Sequence, residues 1–277
     1  MRKIHWILQK NLIKESDLHE IKNALNESNT SFEEVKVIPF SDELPLINDN
    51  KNFKIFYGST TLILNAYKNT NYKEGIFYDK ETFSLKNYFD KWKTNMLNFD
   101  SEILTFNEIL NKDFKKGNWF IRPIHDDKSF SGRVMNNEEI EHLENSLADS
   151  NNPYLNPETL VAISTPKSIA KEWRHFIVDK KVVSSSRYAE YGKVSKSSDD
   201  VPSDLLDFVQ ERCQEYVPND IFVMDTSIHN DTYKIVECNC FNDTGFYKHN
   251  VSKIIKEVNN HIENKNKHNN GNRRTTQ

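Results

Sequence analysis

Glycine is scarce in this chain, with only seven among 277 residues. Neither a GxxxxGK[ST] nor a GxGxxG string occurs, which argues against the two common glycine-rich phosphate loops, the P-loop and the Rossmann loop. Cysteine is scarcer still: the chain has three, Cys213, Cys238 and Cys240. Three cysteines make no disulfide framework, so we expect a reducing environment and a cytoplasmic location.

Long apolar segments are also lacking. No run approaches the roughly 20 residues of a membrane span, and the first residues lack the apolar core of a signal peptide. We therefore expect no membrane partner. The formal net charge of −4 argues weakly against a general nucleic-acid-binding surface, although a local basic patch stays possible. The missing HExxH, HRD/DFG and KxDG strings lower the case for a zinc protease, a protein kinase and a conventional polynucleotide ligase.

What is present is a polar hairpin near the C-terminus. Residues 221–226 and 232–240 are rich in β-formers, and a turn at residues 228–231 is expected to join them. Alternation along the two strands puts Asp225, Glu237 and Asn239 on one face of the predicted hairpin. A regular register places Asp225 opposite Ile235 and diagonal to Glu237. Two carboxylates and an amide oxygen there suit Mg²⁺; the alternative is a solvated polar face.

A second hairpin is predicted over residues 172–178 and 182–188, and it carries arginines. Its register brings Arg174 opposite or next to Ser186 and Arg187. Like charges across a strand pair are destabilising unless an anion joins them. Arginine forks match phosphate oxygens, so a phosphate is the natural partner; ordinary surface ion pairs are the alternative.

Two further cations stand earlier in the chain. Arg122 ends an apolar strand at residues 119–122, and Lys128 follows in a polar loop that contains Ser129 and Gly132. Small residues in such a loop let backbone N–H groups approach phosphates. A set of cations beside a separate pair of metal-type carboxylates is what a Mg²⁺–nucleoside triphosphate needs.

These segments, in this order, resemble the ATP-grasp superfamily. Three pieces carry the likeness: residues 120–132, residues 172–178, and Asp225 with residues 237–239. The likeness is greatest to the clade named for two arginines and a lysine, known mainly from phage and bacterial sequences, and to its family 3. It covers roughly residues 96–250.

The resemblance implies an α+β protein in which two α+β subdomains clamp ATP, preceded by a small α/β pre-ATP-grasp domain. The domains expected are residues 1–95 (pre-ATP-grasp), 96–163 (N-terminal ATP-grasp subdomain), 164–263 (C-terminal subdomain) and 264–277 (disordered tail). The first of these shows an alternation of strands and helices that predicts a small parallel sheet, with strands that include residues 4–8, 53–57 and 76–78.

The resemblance also implies roles for individual residues. The metal ligands are Asp225, Glu237 and Asn239, which hold Mg²⁺. The expected catalytic side chains and the expected ATP contacts overlap. The catalytic set is Arg174, Arg187 and Lys128; the ATP-binding set is Arg122, Lys128, Ser129, Gly132, Thr165, Glu172 and Arg174.

The implied activity is an ATP-dependent carboxylate–amine ligase that works through an acyl-phosphate and releases ADP and phosphate. Its partners are ATP and unknown carboxylate and amine substrates: a peptide, a protein or a small molecule. One alternative is an ATP-grasp enzyme that acts on nucleic acid, for which the only hint is the basic tail (Lys265, Lys267, Arg273 and Arg274). Another is a non-catalytic nucleotide-binding protein.

Overall fold

The N-terminal part of the chain forms a three-stranded parallel sheet. The computed structural model describes residues 3–39, 41–49, 51–111, 117–125, 130–148 and 155–272. The strands are β1 (Ile4–Gln9), β2 (Ser31–Val35) and β3 (Phe53–Tyr57), in the order β2-β1-β3. Every residue of β1 is buried, as expected for the central strand of a parallel sheet covered on both faces. The parallel sheet predicted from the alternating segments is confirmed.

Three helices accompany this sheet: α1 (Glu15–Glu27), α2 (Thr60–Lys68) and α3 (Leu85–Trp92). The strand predicted at residues 76–78 is wrong, because these residues pair with no sheet strand. Instead, the Phe77 backbone N–H donates to the Asn242 side-chain oxygen at 2.7 Å. Asn242 also donates to the carbonyl oxygens of Phe56 and Gly75. A buried amide thus satisfies backbone groups that a strand would have paired.

The middle part is a four-stranded antiparallel sheet with two helices. In chain order its elements are β4 (Glu102–Thr105), α4 (Phe106–Asn111), β5 (Asn118–Pro123), β6 (Arg133–Asn136), α5 (Asn137–Ala148) and β7 (Leu160–Ser164). The strand order is β4-β7-β5-β6. An apolar cluster belongs to this part alone and includes Phe106, Ile121 and Met135. The sheet and its helices therefore pack as a unit of their own.

The C-terminal part is a five-stranded antiparallel sheet with two helices. Its elements are β8 (Lys171–Val178), β9 (Lys181–Glu190), β10 (Lys193–Ser197), α6 (Ser203–Glu215), β11 (Ile221–His229), β12 (Thr232–Asn239) and α7 (Val251–Asn272). The strand order is β10-β9-β8-β11-β12. Both hairpins predicted from the sequence, β8–β9 and β11–β12, are present.

The helix α7 continues beyond the point where a disordered tail was predicted. It runs on to Asn272, so residues 264–272 correct that prediction, while residues 273–277 lie outside the described part. Apolar side chains of its first turns, Ile254 and Ile255 among them, join Trp6 and Phe176 in one cluster. This cluster holds the N-terminal sheet and the five-stranded sheet together. Among the described residues, no helix is both long enough and apolar enough to cross a membrane.

Candidate active site

A β-bulge in the last hairpin brings the two predicted metal carboxylates face to face. Near the turn, Thr226 pairs with Ile235; one residue further, Asp225 pairs with Glu237, so Val236 is the extra residue. The predicted register, with Asp225 opposite Ile235, is therefore wrong by the residue that the bulge inserts. Since a bulge re-aims the side chains beyond it, Asp225 and Glu237 become direct cross-strand neighbours.

Arg174 binds Asp225 from β8, the strand on the other side of β11. It is the cross-strand partner of Asp225, and its Nε and Nη2 donate to the two carboxylate oxygens at 2.8 and 2.6 Å. Burial alone would lower the pKa of Arg174, but the adjacent Asp225 carboxylate outweighs burial and raises that pKa. The guanidinium therefore stays charged in a site where water has little access.

Asn239 lies between the two carboxylates. Its Nδ2 donates to Asp225 Oδ2 at 3.2 Å and to Glu237 Oε1 at 3.1 Å. The three predicted metal ligands are thus brought together at one point of the sheet. The Asp225 and Glu237 carboxylates, as direct cross-strand neighbours, repel each other unless a hydrogen-bond donor or a cation lies between them.

Arg122 reaches the same group across the cleft between the two sheets. It lies on β5 in the middle sheet, and its Nη2 donates to Glu237 Oε2 at 2.7 Å while Nη1 donates to the Val236 carbonyl oxygen at 3.0 Å. The bulge that pairs Asp225 with Glu237 therefore also offers the carbonyl oxygen that Arg122 binds.

A second bulge, in β9, adds a side chain that sequence reasoning missed. Glu172 pairs with Ala189 and Trp173 with Arg187, which leaves Tyr188 as the extra residue. Its hydroxyl donates to Glu172 Oε2 at 2.9 Å. Burial raises the pKa of Glu172, and the nearby Asp225 and Glu237 carboxylates add to this, although the Tyr188 hydrogen bond opposes it. No residue type in the sequence marks either bulge.

The same bulge moves Arg187 away from the site. The sequence predicted Arg174 beside both Ser186 and Arg187; the register does pair Arg174 with Ser186. Arg187 instead pairs with Trp173, on the opposite face of the sheet. There it binds Glu190 at 2.9 Å and Asp200 at 2.8 Å. As placed, Arg187 is an ion-pairing residue that does not line the cleft, and its assignment to the catalytic set stays a prediction.

Of the side chains of this site, those of Arg122, Glu172, Tyr188 and Glu237 line a cleft of about 520 Å³ between the middle sheet and the five-stranded sheet. That volume is typical of small-ligand sites. The middle sheet and its loops contribute Phe120, Arg122, Pro123, His125, Phe130, Ser131, Gly132 and Val134; the five-stranded sheet contributes Glu172, Tyr188, Val236 and Glu237. Leu97, Asn98, Lys167 and Ile169 complete the wall.

The remaining predicted ATP contacts fall in three places. Gly132 lines the cleft so tightly that a Cβ there would stand 3.0 Å from the Cβ of Arg122. Thr165 lies in the segment that connects β7 with β8, where the Lys167 ammonium donates to its hydroxyl at 2.9 Å. Lys128 and Ser129 lie outside the described residues, so their assignments stay predictions.

The donor set at the hairpin fits a hard divalent cation. Among the described residues no group of three or more His, Cys, Asp or Glu side chains could hold a metal ion. The hairpin instead offers two carboxylates and one amide. Mg²⁺ is often held by one or two carboxylates together with water and substrate phosphates. The Asn239 amide occupies the position between the carboxylates, and rotating it would present an oxygen instead of N–H donors.

Comparison with known proteins agrees with this geometry. Residues 100–256 match the family model described as ATP-grasp domain, R2K clade family 2, which is more than half of the chain. The clade suggested by the sequence is confirmed; the family within it is 2 and not 3. No curated protein matches the sequence.

Solved structures share the fold at low sequence identity. D-alanine–D-alanine ligase from Bacillus anthracis has 13% identity and a TM-score of 0.57, over 97% of this chain and 100% of that one. The macrocyclase MdnC from Microcystis aeruginosa, solved with its precursor peptide, has 11% identity and a TM-score of 0.55, over 92% and 99%. A RimK domain protein from Sphaerobacter thermophilus has 10% identity and a TM-score of 0.55, over 87% and 92%. These likenesses establish the fold.

Proposed function

This chain belongs to family 2 of the R2K clade of ATP-grasp domains, and we propose that it is an ATP-dependent carboxylate–amine ligase. The observation that carries the proposal is the meeting of Asp225, Glu237 and Asn239 with Arg122 and Arg174 beside one cleft between two sheets. The family's fold is one that binds ATP and Mg²⁺ between its subdomains. The volume of the cleft and its charged side chains suit ATP and Mg²⁺.

In this proposal Glu237, Asn239 and Asp225 hold Mg²⁺, which would neutralise charge on the ATP phosphates. Arg122 and Arg174 supply fixed positive charge on either side of these ligands. Such preorganised cations are the main means by which proteins accelerate phosphoryl transfer. Because Arg122 already binds Glu237, it must exchange that carboxylate for a phosphate oxygen when the nucleotide enters.

The proposed reaction has two steps. A substrate carboxylate oxygen attacks the γ-phosphorus, and the bond from that phosphorus to the β,γ-bridging oxygen breaks, which releases ADP. An amine nitrogen then attacks the acyl carbon, the carbon–oxygen bond to phosphate breaks, and the amine loses a proton. The enzyme needs no nucleophile of its own, because positioning and charge neutralisation carry both steps. The cleft described above consists of cations, carboxylates and apolar walls, consistent with that demand.

Incubation with Mg²⁺-ATP and pooled carboxylates, amines, peptides and nucleic acids tests this proposal. We expect ADP and phosphate to appear only when a carboxylate and an amine are both present. Release of AMP instead of ADP would contradict the acyl-phosphate route. Turnover that depends on the nucleic-acid pool alone would favour the nucleic-acid alternative. ATP binding without turnover in any pool would favour a non-catalytic nucleotide-binding protein.

A further inference from the structure

Three cations from distant parts of the chain surround one aromatic ring, that of Tyr247. The Arg174 guanidinium carbon lies 4.9 Å from the ring centroid, the Lys14 ammonium 5.4 Å and the Lys196 ammonium 5.3 Å. Lys14 directly precedes α1 and Lys196 lies on β10, so the N-terminal part and the far edge of the five-stranded sheet meet here. Because both ammonium groups lie within 5.4 Å of this centroid, they are also close to each other.

The two lysines differ from Arg174 in their electrostatic partners. Arg174 is neutralised by Asp225. Within the described ranges, neither Lys14 nor Lys196 forms an ion pair, although other lysines there do, such as Lys167 with Asp100. Both ammonium groups belong to exposed residues. Two like charges that form no ion pair within the described ranges and lie near one ring favour the binding of an anion.

Tyr247, whose ring these cations contact, has an unusual backbone conformation. Tyr247 has a φ of 47°, a left-handed backbone conformation that bulky residues rarely adopt. Its ring stacks on Tyr188 with centroids 5.2 Å apart and planes inclined by 11°. The loop before it is fixed as well, because the Gly245 carbonyl oxygen accepts a hydrogen bond from Arg174 at 3.3 Å. The neighbouring fold therefore imposes the ring's orientation.

This group is continuous with the cleft. Tyr188 lines the cleft on one side, next to Glu172 and Glu237, and stacks on Tyr247 on the other. A ligand that reaches from Arg174 past the tyrosines would come next to the two lysines.

We propose that Lys14, Lys196 and Tyr247 bind a second anionic group of the carboxylate substrate, so that the substrate is an acidic peptide or a small dicarboxylic acid. The role of this group in catalysis rests on the proposed ligase function. Its capacity to bind anions does not, because that capacity depends only on the charges. The two ammonium groups attract the second anion, and the tyrosine ring supplies a flat surface for the aliphatic part beside it.

Binding measured without ATP tests this proposal. The probes are a fluorescently labelled hexaglutamate peptide, its hexaglutamine counterpart, and glutarate against glutaramide, all at one moderate salt concentration. The variant is Lys14→Glu with Lys196→Glu. Its matched control is Lys36→Glu with Lys256→Glu, which makes the same charge change at two exposed lysines that are not among the cations around the ring.

We expect at least one acidic probe to bind about tenfold or more tightly than its neutral counterpart. The Lys14/Lys196 variant should lose about tenfold or more of that affinity, while the control variant stays within about twofold. Hexaglutamate as the tighter probe would identify a peptide substrate, and glutarate a small dicarboxylate. Equal binding of acidic and neutral probes, or an equal loss in the control variant, would overturn the proposal.

The activity assay separates this proposal from the proposed function. ADP release with neutral carboxylates only would overturn the anion site and leave the ligase proposal standing. Lysine-dependent binding of an acidic probe, together with no ADP release from any carboxylate, would overturn the ligase proposal alone.

Discussion

Arg174 and Asp225 are cross-strand partners joined by two charged hydrogen bonds, and both are nearly inaccessible to water: Arg174 is 9% exposed and Asp225 1%. A buried ion pair contributes little net stability, because desolvation of the two charges offsets their attraction. Removing one partner is different, since it leaves the other charge buried and uncompensated. The pair therefore couples the candidate active site to the folding of the five-stranded sheet.

The first prediction follows from that coupling. Arg174→Ala should lower the free energy of unfolding by about 3–5 kcal/mol, because it removes both charged hydrogen bonds from the buried Asp225 carboxylate. Urea denaturation measures this loss. The double variant Arg174→Met, Asp225→Leu should recover much of this lost stability, because neither charge of the buried pair remains. A single substitution that costs less than about 1 kcal/mol would show that Asp225 is compensated by other groups.

Glu237 should separate function from stability. Its side chain is 32% exposed and its ion pair with Arg122 faces the cleft, so Glu237→Gln should change stability by less than about 1 kcal/mol. The same substitution should reduce ATP turnover by about 100-fold or more, because it removes a carboxylate from the proposed Mg²⁺ site. Turnover is followed as ADP release and stability by urea denaturation.

Glu190→Gln is the matched control for this change. Glu190 binds Arg187 at 2.9 Å and its side chain is 33% exposed, so the same chemical change occurs in a similar ion pair outside the cleft. We expect its turnover to stay within about threefold of the wild type. Comparable losses in the two variants would remove Glu237 from the site.

Arg122 and Arg187 were both predicted from the sequence to act at the candidate site, but their substitution should change the KM for ATP to different extents. Arg122→Ala removes a guanidinium that lines the cleft and binds Glu237, so the KM for ATP should rise about tenfold or more. Arg187→Ala removes one bound to Glu190 and Asp200 on the other face, so the KM should change less than about threefold. Initial rates over a range of ATP concentrations give both values. A larger effect at Arg187 would support its assignment to the catalytic set.

The contrast between Arg122 and Arg187 shows how far sequence reasoning could go. Residue types and alternation were enough to find both hairpins and the faces of Arg174, Glu237 and Asn239. They could not find the bulges at Val236 and Tyr188, because a bulge depends on how two strands fit together and not on a local signal. The bulge at Val236 makes Asp225 and Glu237 direct cross-strand neighbours. The bulge at Tyr188 places Arg187 on the opposite face of the sheet from Arg174.

The first part of the chain shows the same limit. Apolar runs identified β1 and β3 correctly, since a buried parallel strand needs little else. The apolar run at residues 76–78 looks similar, yet its backbone binds the distant Asn242 side chain. Tyr247 could not be recognised either, because its role depends on Lys14 and Lys196, which lie far from it in the sequence.

The last prediction concerns two histidines near Arg174, the buried His175 and the half-buried His249. His175 accepts or donates hydrogen bonds with Ser185 and Thr226 at 2.8 Å each, and His249 does so with Ser184 at 2.9 Å and with Ser186 at 2.8 Å. Burial lowers the pKa of each from 6.5 to about 3, and for His249 the nearby His175 and Arg174 add to the effect. The folded protein therefore keeps both rings neutral in mild acid.

The sign of the pH dependence follows from proton binding. Below pH 6.5 the unfolded chain takes up a proton at each histidine, whereas the folded chain does not until the pH nears 3. Stability should therefore fall as the pH drops through this window, by about 2 kcal/mol per histidine at pH 5. His249→Gln should remove its share, so that its unfolding free energy changes less between pH 7 and pH 5 than that of the wild type. Urea denaturation at both pH values measures this difference, and His19→Gln, at an exposed histidine of α1, should leave the wild-type dependence unchanged. The same pH dependence in all three proteins would mean that His249 takes up its proton without unfolding.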